Sequence, residues 1–112
     1  MQVVARTRRP KIPTTAAAMA PHARQAAELL RALANEQRLM ILCNLTSGEL
    51  SVGELNSKVK LSQSALSQHL AVLREAGLVH TRKTGQLVFY SLADGPGGRV
   101  VGTLHDIYCR EE

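Results

Sequence analysis

Apolar residues recur along the chain mostly at helical spacing and, in one stretch, at strand spacing. Ala26, Leu29, Leu30 and Leu33 fall at i, i+3, i+4 and i+7, which predicts a first amphipathic helix over roughly residues 17–33. Asn35 suits an N-cap, with Glu36 in the first turn behind it. It opens a second helix through Leu39-Met40-Ile41-Leu42-Cys43-Asn44-Leu45, apolar nearly all round and therefore expected at the centre of the fold, and Ser47-Gly48 ends it. Ser51-Val52-Gly53-Glu54 fits a capping box, in which hydroxyl and carboxylate each satisfy an orphan backbone N–H, and starts a short third helix reaching about Lys58. Ser62 is a second N-cap candidate. Leu66, Leu70 and Leu73 then mark a fourth helix that stops at Gly77, a residue suited to the left-handed position after a helix end. Leu78–Lys83 and Leu87–Leu92 are β-branched and aromatic runs flanking Thr84-Gly85-Gln86, the pattern of a hairpin. After Asp94-Gly95-Pro96, Val100, Val101, Leu104, Ile107 and Tyr108 form the apolar face of a last helix.

Composition narrows the class. At 112 residues there is room for one domain, and with aromatics at 3% the core must be built mainly from Leu, Val, Ala, Ile and Met. So small a domain leaves apolar helix faces that a second copy of the chain commonly covers, which makes a homodimer the expectation. The formal charge of +5 is concentrated in two places. Residues 1–11 carry Arg6, Arg8, Arg9 and Lys11 with no acid, and residues 58–83 carry Lys58, Lys60, Arg74, Arg82 and Lys83 against Glu75 alone. Clustered cations are the footprint of a polyanionic partner. With Pro10 and Pro13 and no apolar period, residues 1–15 read as a disordered basic arm, and residues 16–112 as the folded domain. No membrane span and no secretory apolar core are evident, so a cytoplasmic protein without a membrane partner is expected. Cys43 and Cys109 are too few for a secreted disulfide scaffold. In a reducing compartment they are packing thiols or chemically employed ones.

The fold class that follows is mostly α with a β-hairpin wing: helix, helix, short helix, turn, helix, hairpin, helix, a winged helix-turn-helix. The fourth helix takes the place of the recognition helix. Its first turns expose Gln63, Ser64, Ser67, Gln68 and His69, amide and hydroxyl side chains able to address base edges or phosphates, while Arg82 and Lys83 at the hairpin tip would meet the backbone. The bland alternative, a solvated polar face, weakens because capping, spacing, hairpin chemistry and charge all agree.

The run Leu61-Ser62-Gln63-Ser64-Ala65-Leu66-Ser67-Gln68-His69-Leu70-Ala71-Val72-Leu73-Arg74-Glu75-Ala76-Gly77-Leu78-Val79, preceded by Leu33-Ala34-Asn35-Glu36-Gln37-Arg38-Leu39-Met40-Ile41-Leu42, resembles the ArsR/SmtB-type winged-helix repressors over roughly residues 20–110. The resemblance implies a homodimer joined through its first and last helices on a palindromic operator. It also implies major-groove contacts from Gln63, Ser64, Ser67, Gln68 and His69, and minor-groove or backbone contacts from Arg82 and Lys83.

Many members of that family sense metals, yet this chain has Ser51-Val52-Gly53-Glu54-Leu55 where a Cys-Val-Cys-Asp-Leu motif would supply thiolates. In the last helix it offers only His105 and Asp106, short of the four ligands of a closed site, although Cys109 follows His105 at i+4. No metal and no cofactor are expected. At 100° per residue, Cys43 falls on the inner side of its helix and Cys109 flanks the apolar stripe of the last one, the more accessible of the two. One cysteine after Arg38-Leu39-Met40-Ile41-Leu42 and another after Leu104-His105-Asp106-Ile107-Tyr108 resembles the BigR/SqrR/YgaV group of persulfide-responsive repressors. That resemblance implies a Cys43–Cys109 redox sensor, reactive sulfur species as inducer and derepression of sulfide-detoxification genes. Two further readings stay open: a HlyU-like regulator that displaces another DNA-binding protein, and a metal-responsive repressor. An enzyme is not expected, since no Cys-x-x-Cys, phosphate loop or nucleophile constellation is present.

Overall fold

The computed structural model describes residues 15–109. Thr15, extended, accepts the Ala18 N–H on its hydroxyl and caps a single helical turn, α1 (Ala16–Met19). A 3-10 turn (Ala20–His22) follows, and then α2 (Ala23–Leu33). The continuous helix expected over 17–33 is therefore divided. Pro21 is the cause, because its ring has no N–H to give and crowds the preceding turn. Most of the basic arm expected over residues 1–15 lies outside the described residues.

Asn35 caps α3 (Glu36–Leu45) as expected, its Oδ1 accepting the Arg38 N–H at 3.0 Å. Ile41, Leu42 and Leu45 of this helix are buried, and it packs against α2 and against every later helix of the fold. A short strand β1 (Leu50–Ser51) leads into α4 (Val52–Lys58). The capping box forms in full: Ser51 Oγ accepts the Glu54 N–H at 3.1 Å, and Glu54 Oε1 accepts the Ser51 N–H at 2.8 Å. Asn56 Nδ2 donates to the Leu61 carbonyl and braces the turn into α5 (Gln63–Glu75), which Ser62 caps through the Ala65 N–H.

Helix α5 ends at Gly77, whose φ of +74° lets Gly77 N–H reach the Arg74 carbonyl and Leu78 N–H the Leu73 carbonyl, a Schellman ending. The chain then runs into the wing, β2 (Val79–Thr84) and β3 (Leu87–Leu92), joined by Gly85-Gln86 with Gly85 at φ +61°. The sheet is antiparallel in the order β1-β3-β2, so β1 is a third strand that the sequence pattern did not reveal. Its register sets Leu50 beside Tyr90 and Ser51 beside Phe89. Helix α6 (Pro96–Cys109) closes the fold, its buried Gly97 set so close to Leu78 that any side chain there would collide. One continuous core links Leu33, Ile41, Leu42, Leu45, Leu55, Leu66, Leu70, Leu73, Leu78, Val79, Tyr90 and Val101.

Candidate nucleic-acid interface and dithiol

The leucines of α5 fix what the helix shows to solvent. With Leu66, Leu70 and Leu73 buried, Gln63, Ser64, Ser67 and Gln68 all emerge exposed on the opposite side, two successive pairs one turn apart. Lys58 and Lys60 before this helix, Arg74 in its last turn and Lys83 on the wing are exposed around it. The helix N-terminus, its free N–H groups and these cations all favour a phosphate-bearing ligand.

His69, expected on the same face, is half-buried instead. Its Nδ1 lies 3.4 Å from Arg38 Nη1 on α3, and since a guanidinium only donates, the imidazole nitrogen is the acceptor. The same Arg38 donates from Nε to the Ala32 carbonyl at 2.6 Å and from Nη2 to the Arg31 carbonyl at 3.1 Å. It thereby satisfies the Ala32 carbonyl at the end of α2 and gives a second donor to the Arg31 carbonyl, which also accepts the Ala34 N–H. One side chain thus ties together α2, α3 and the recognition helix. Sequence reasoning passed over Arg38, and the available signal was a cation placed shortly after a helix end with a histidine far along the chain.

The two wing cations differ. Arg82 stands three residues before Gly85 rather than at the tip, and its guanidinium is engaged. Nη2 and Nε donate to the two carboxylate oxygens of Glu49 at 2.7 and 2.9 Å, Nη1 donates to Thr84 Oγ1 at 2.8 Å, and the carbon at the centre of the group sits 4.6 Å from the centroid of the Phe89 ring. The hydrogen bonds from Arg82, reinforced by its charge, hold the Glu49 carboxyl below its ordinary range. Lys83 is exposed.

Both thiols are free, Cys43 half-buried against the core and Cys109 exposed in the last turn of α6. Helices α3 and α6, which carry them, pack against each other. Burial pushes the Cys43 thiol above its ordinary pKa, and the charge of Cys109 raises it further. Thr46, whose hydroxyl donates to the Cys43 carbonyl, lines an open groove with Arg99, Thr103, His105 and Asp106 of α6. Among the described residues no group of three or more His, Cys, Asp and Glu side chains is arranged to hold a metal ion. No helix among them is long and apolar enough to cross a membrane.

Comparison with known proteins adds a family to this geometry. Residues 35–81, from the cap of α3 to the middle of β2, match the family described as bacterial regulatory protein, arsR family. The chain is 54% identical to the transcriptional activator HlyU of Vibrio cholerae, over 82% of this chain and 85% of that one. It is 46% identical to the biofilm growth-associated repressor of Agrobacterium fabrum, over 85% of this chain and 81% of the relative. Among solved structures, the transcriptional repressor BigR from Xylella fastidiosa superposes with a TM-score of 0.79 at 40% identity, covering 88% of this chain and all of that one. These neighbours share the winged-helix fold.

Proposed function

The chain belongs to the arsR family of bacterial regulatory proteins and is a DNA-binding transcriptional regulator; from that premise we propose that it is a homodimeric repressor whose grip on a palindromic operator is released when reactive sulfur links Cys43 to Cys109. Gln63, Ser64, Ser67 and Gln68 read base edges in the major groove, His69 orients the helix from beneath through Arg38, and Lys83 meets backbone phosphate. Exposed Leu30 on α2 and Ile107 and Tyr108 on α6 supply the apolar surface for a second copy.

The observation that carries the sensing reading is the packing of α3 on α6, with the Cys43 thiol raised in part by the charge of Cys109. Exposure makes Cys109 the first nucleophile. Its thiolate takes the outer sulfur of a persulfide donor, the donor's S–S bond breaks, and the donor thiolate leaves. Cys43, deprotonating as it attacks, then displaces hydrosulfide from the Cys109 persulfide and closes a disulfide. Where a second sulfur is added to Cys109 before closure, the same displacement leaves a trisulfide, which spans thiols too far apart for the 4.4–6.8 Å Cα separation that a plain disulfide demands. The link joins the helix that supports the reading head to the last helix, and so bears on half-site spacing.

Treatment with a sulfane-sulfur donor, followed by intact mass and operator binding, tests this reading. The expected result is a bridged Cys43–Cys109 species that leaves the operator, with Cys43→Ser and Cys109→Ser proteins staying bound. Release of either variant under the same treatment overturns the sensor. The relative named an activator favours a second output, displacement of another DNA-binding protein. Transcription reconstituted with polymerase and this chain alone separates the two: a repressor lowers transcript directly, whereas a displacer acts only once its competitor is present.

A further inference from the structure

Glu49 is brought to Arg82 by the shortest strand of the fold. The rung Ser51–Phe89–Arg82 runs across β1, β3 and β2, and Glu49 stands two residues before Ser51, so that its side chain reaches Arg82 diagonally across β3. The carboxylate receives the guanidinium through two oxygens, the geometry a phosphate would offer it, while Phe89 holds the guanidinium from one face. The pair is exchangeable: the side chains of Arg82 and Glu49 are 54% and 35% exposed. Among the cations bordering α5 and the wing, Lys58, Lys60, Arg74 and Lys83 appear in no ion pair among the described residues, so Arg82 is the cation the fold has given a competitor.

We propose that Glu49 is a specificity-determining residue that competes with DNA for Arg82. On duplex of ordinary groove width the guanidinium stays on the carboxylate, and only a narrow, strongly electronegative minor groove, as in A·T tracts, draws it off. The wing therefore reports the sequence flanking the half-site without a hydrogen bond to any base edge. This inference rests on the DNA-binding reading above and adds to it the residue that makes one wing contact conditional.

The experiment uses the full chain and two duplexes sharing one core, which the wild-type protein has selected from a random pool; one carries A·T-tract flanks and the other G·C flanks. Binding is titrated against salt for wild type, Glu49→Gln, Arg82→Gln and the double variant, each first checked for native far-ultraviolet dichroism and an unchanged melting midpoint. Glu49→Gln is expected to tighten binding to the G·C-flanked duplex about tenfold and to the A·T-flanked duplex less. Its log–log salt slope on the former should steepen by about 0.9 for each wing that gains a phosphate. In the Arg82→Gln background the same change should have no such effect, since the competitor then has nothing to hold. Unchanged discrimination in Glu49→Gln overturns the proposal, as does equal tightening in the presence and absence of Arg82, which would reduce Glu49 to general repulsion of DNA. If wild type selects no core at all, the DNA-binding assignment of α5 fails instead.

Discussion

Helix α5, of 13 residues, turns Leu66, Leu70 and Leu73 fully inward, whereas α6, of 14, buries only Gly97 and Val101 and leaves Ile107 and Tyr108 62% and 80% exposed. Both carry an apolar stripe at helical spacing, yet one stripe is satisfied within the chain and the other is not. The contrast separates two kinds of evidence. A stripe that the chain itself covers fixes the opposite face in space, and here that face is Gln63, Ser64, Ser67 and Gln68. A stripe left open is apolar surface that the described part of the chain does not cover, the kind of surface the proposed second copy would bury.

The sharpest way to break this comparison is to cut into the covered stripe. Leu73→Ala should lower unfolding free energy by about 3 kcal/mol, because transfer and cavity terms add at a fully buried site. A loss under about 1 kcal/mol in urea denaturation would mean that α5 is held by something other than its leucines. On the solvent side of the same helix, Gln68→Ala should leave stability unchanged and weaken operator binding by about 2 kcal/mol, concentrated at one base pair of each half-site. Uniform weakening across sequences would demote Gln68 to a backbone contact. For the open stripe, Ile107→Ser should raise the dimer dissociation constant about tenfold by sedimentation, with little change in the fold of each copy. A monomer–dimer balance that ignores the substitution removes α6 from the interface.

The smallest effect concerns Cys43. Burial raises its pKa in the folded chain, so the native state holds the thiol proton more tightly than the unfolded chain does. The associated stability is present below the ordinary thiol pKa and is lost as pH rises through the raised folded value. Melting midpoints of wild type should therefore fall slightly faster above pH 9 than those of Cys43→Ala; parallel curves would contradict this assignment.

Legibility followed the range of the interactions involved. Asn35, Ser51, Ser62, Gly77 and Gly85 each act on backbone within a few residues, and every one of these caps and turns was readable in the chain. Pro21 is equally local, but the apolar period around it masks its effect, so the pattern predicts one continuous helix where the chain forms two separated by a 3-10 turn. What could not be read depended on long-range pairing. Strand β1 is two residues long, too short for any period to show, and exists because Tyr90 and Phe89 lie beside it. Arg38–His69 and Glu49–Arg82 join residues more than thirty positions apart, so their side chains carried no mark of a partner. The exposure of α5's polar side chains was legible except at His69, which is half-buried and in contact with Arg38, a residue 31 positions earlier in the chain.

Strand β1 has one more bearing. Because it pairs with Phe89 and Tyr90 in the middle of β3 and leads straight into α4, the helix that precedes α5, it joins the wing to the helix-turn-helix through one sheet, and the two can be pictured as one jaw. In the proposed assembly two such jaws work as a caliper on the duplex, and a caliper is disabled by resetting its gap rather than by blunting its tips. A chemical signal arriving at the hinge between copies needs to move each jaw only slightly for the pair to fall out of step with the turns of the double helix.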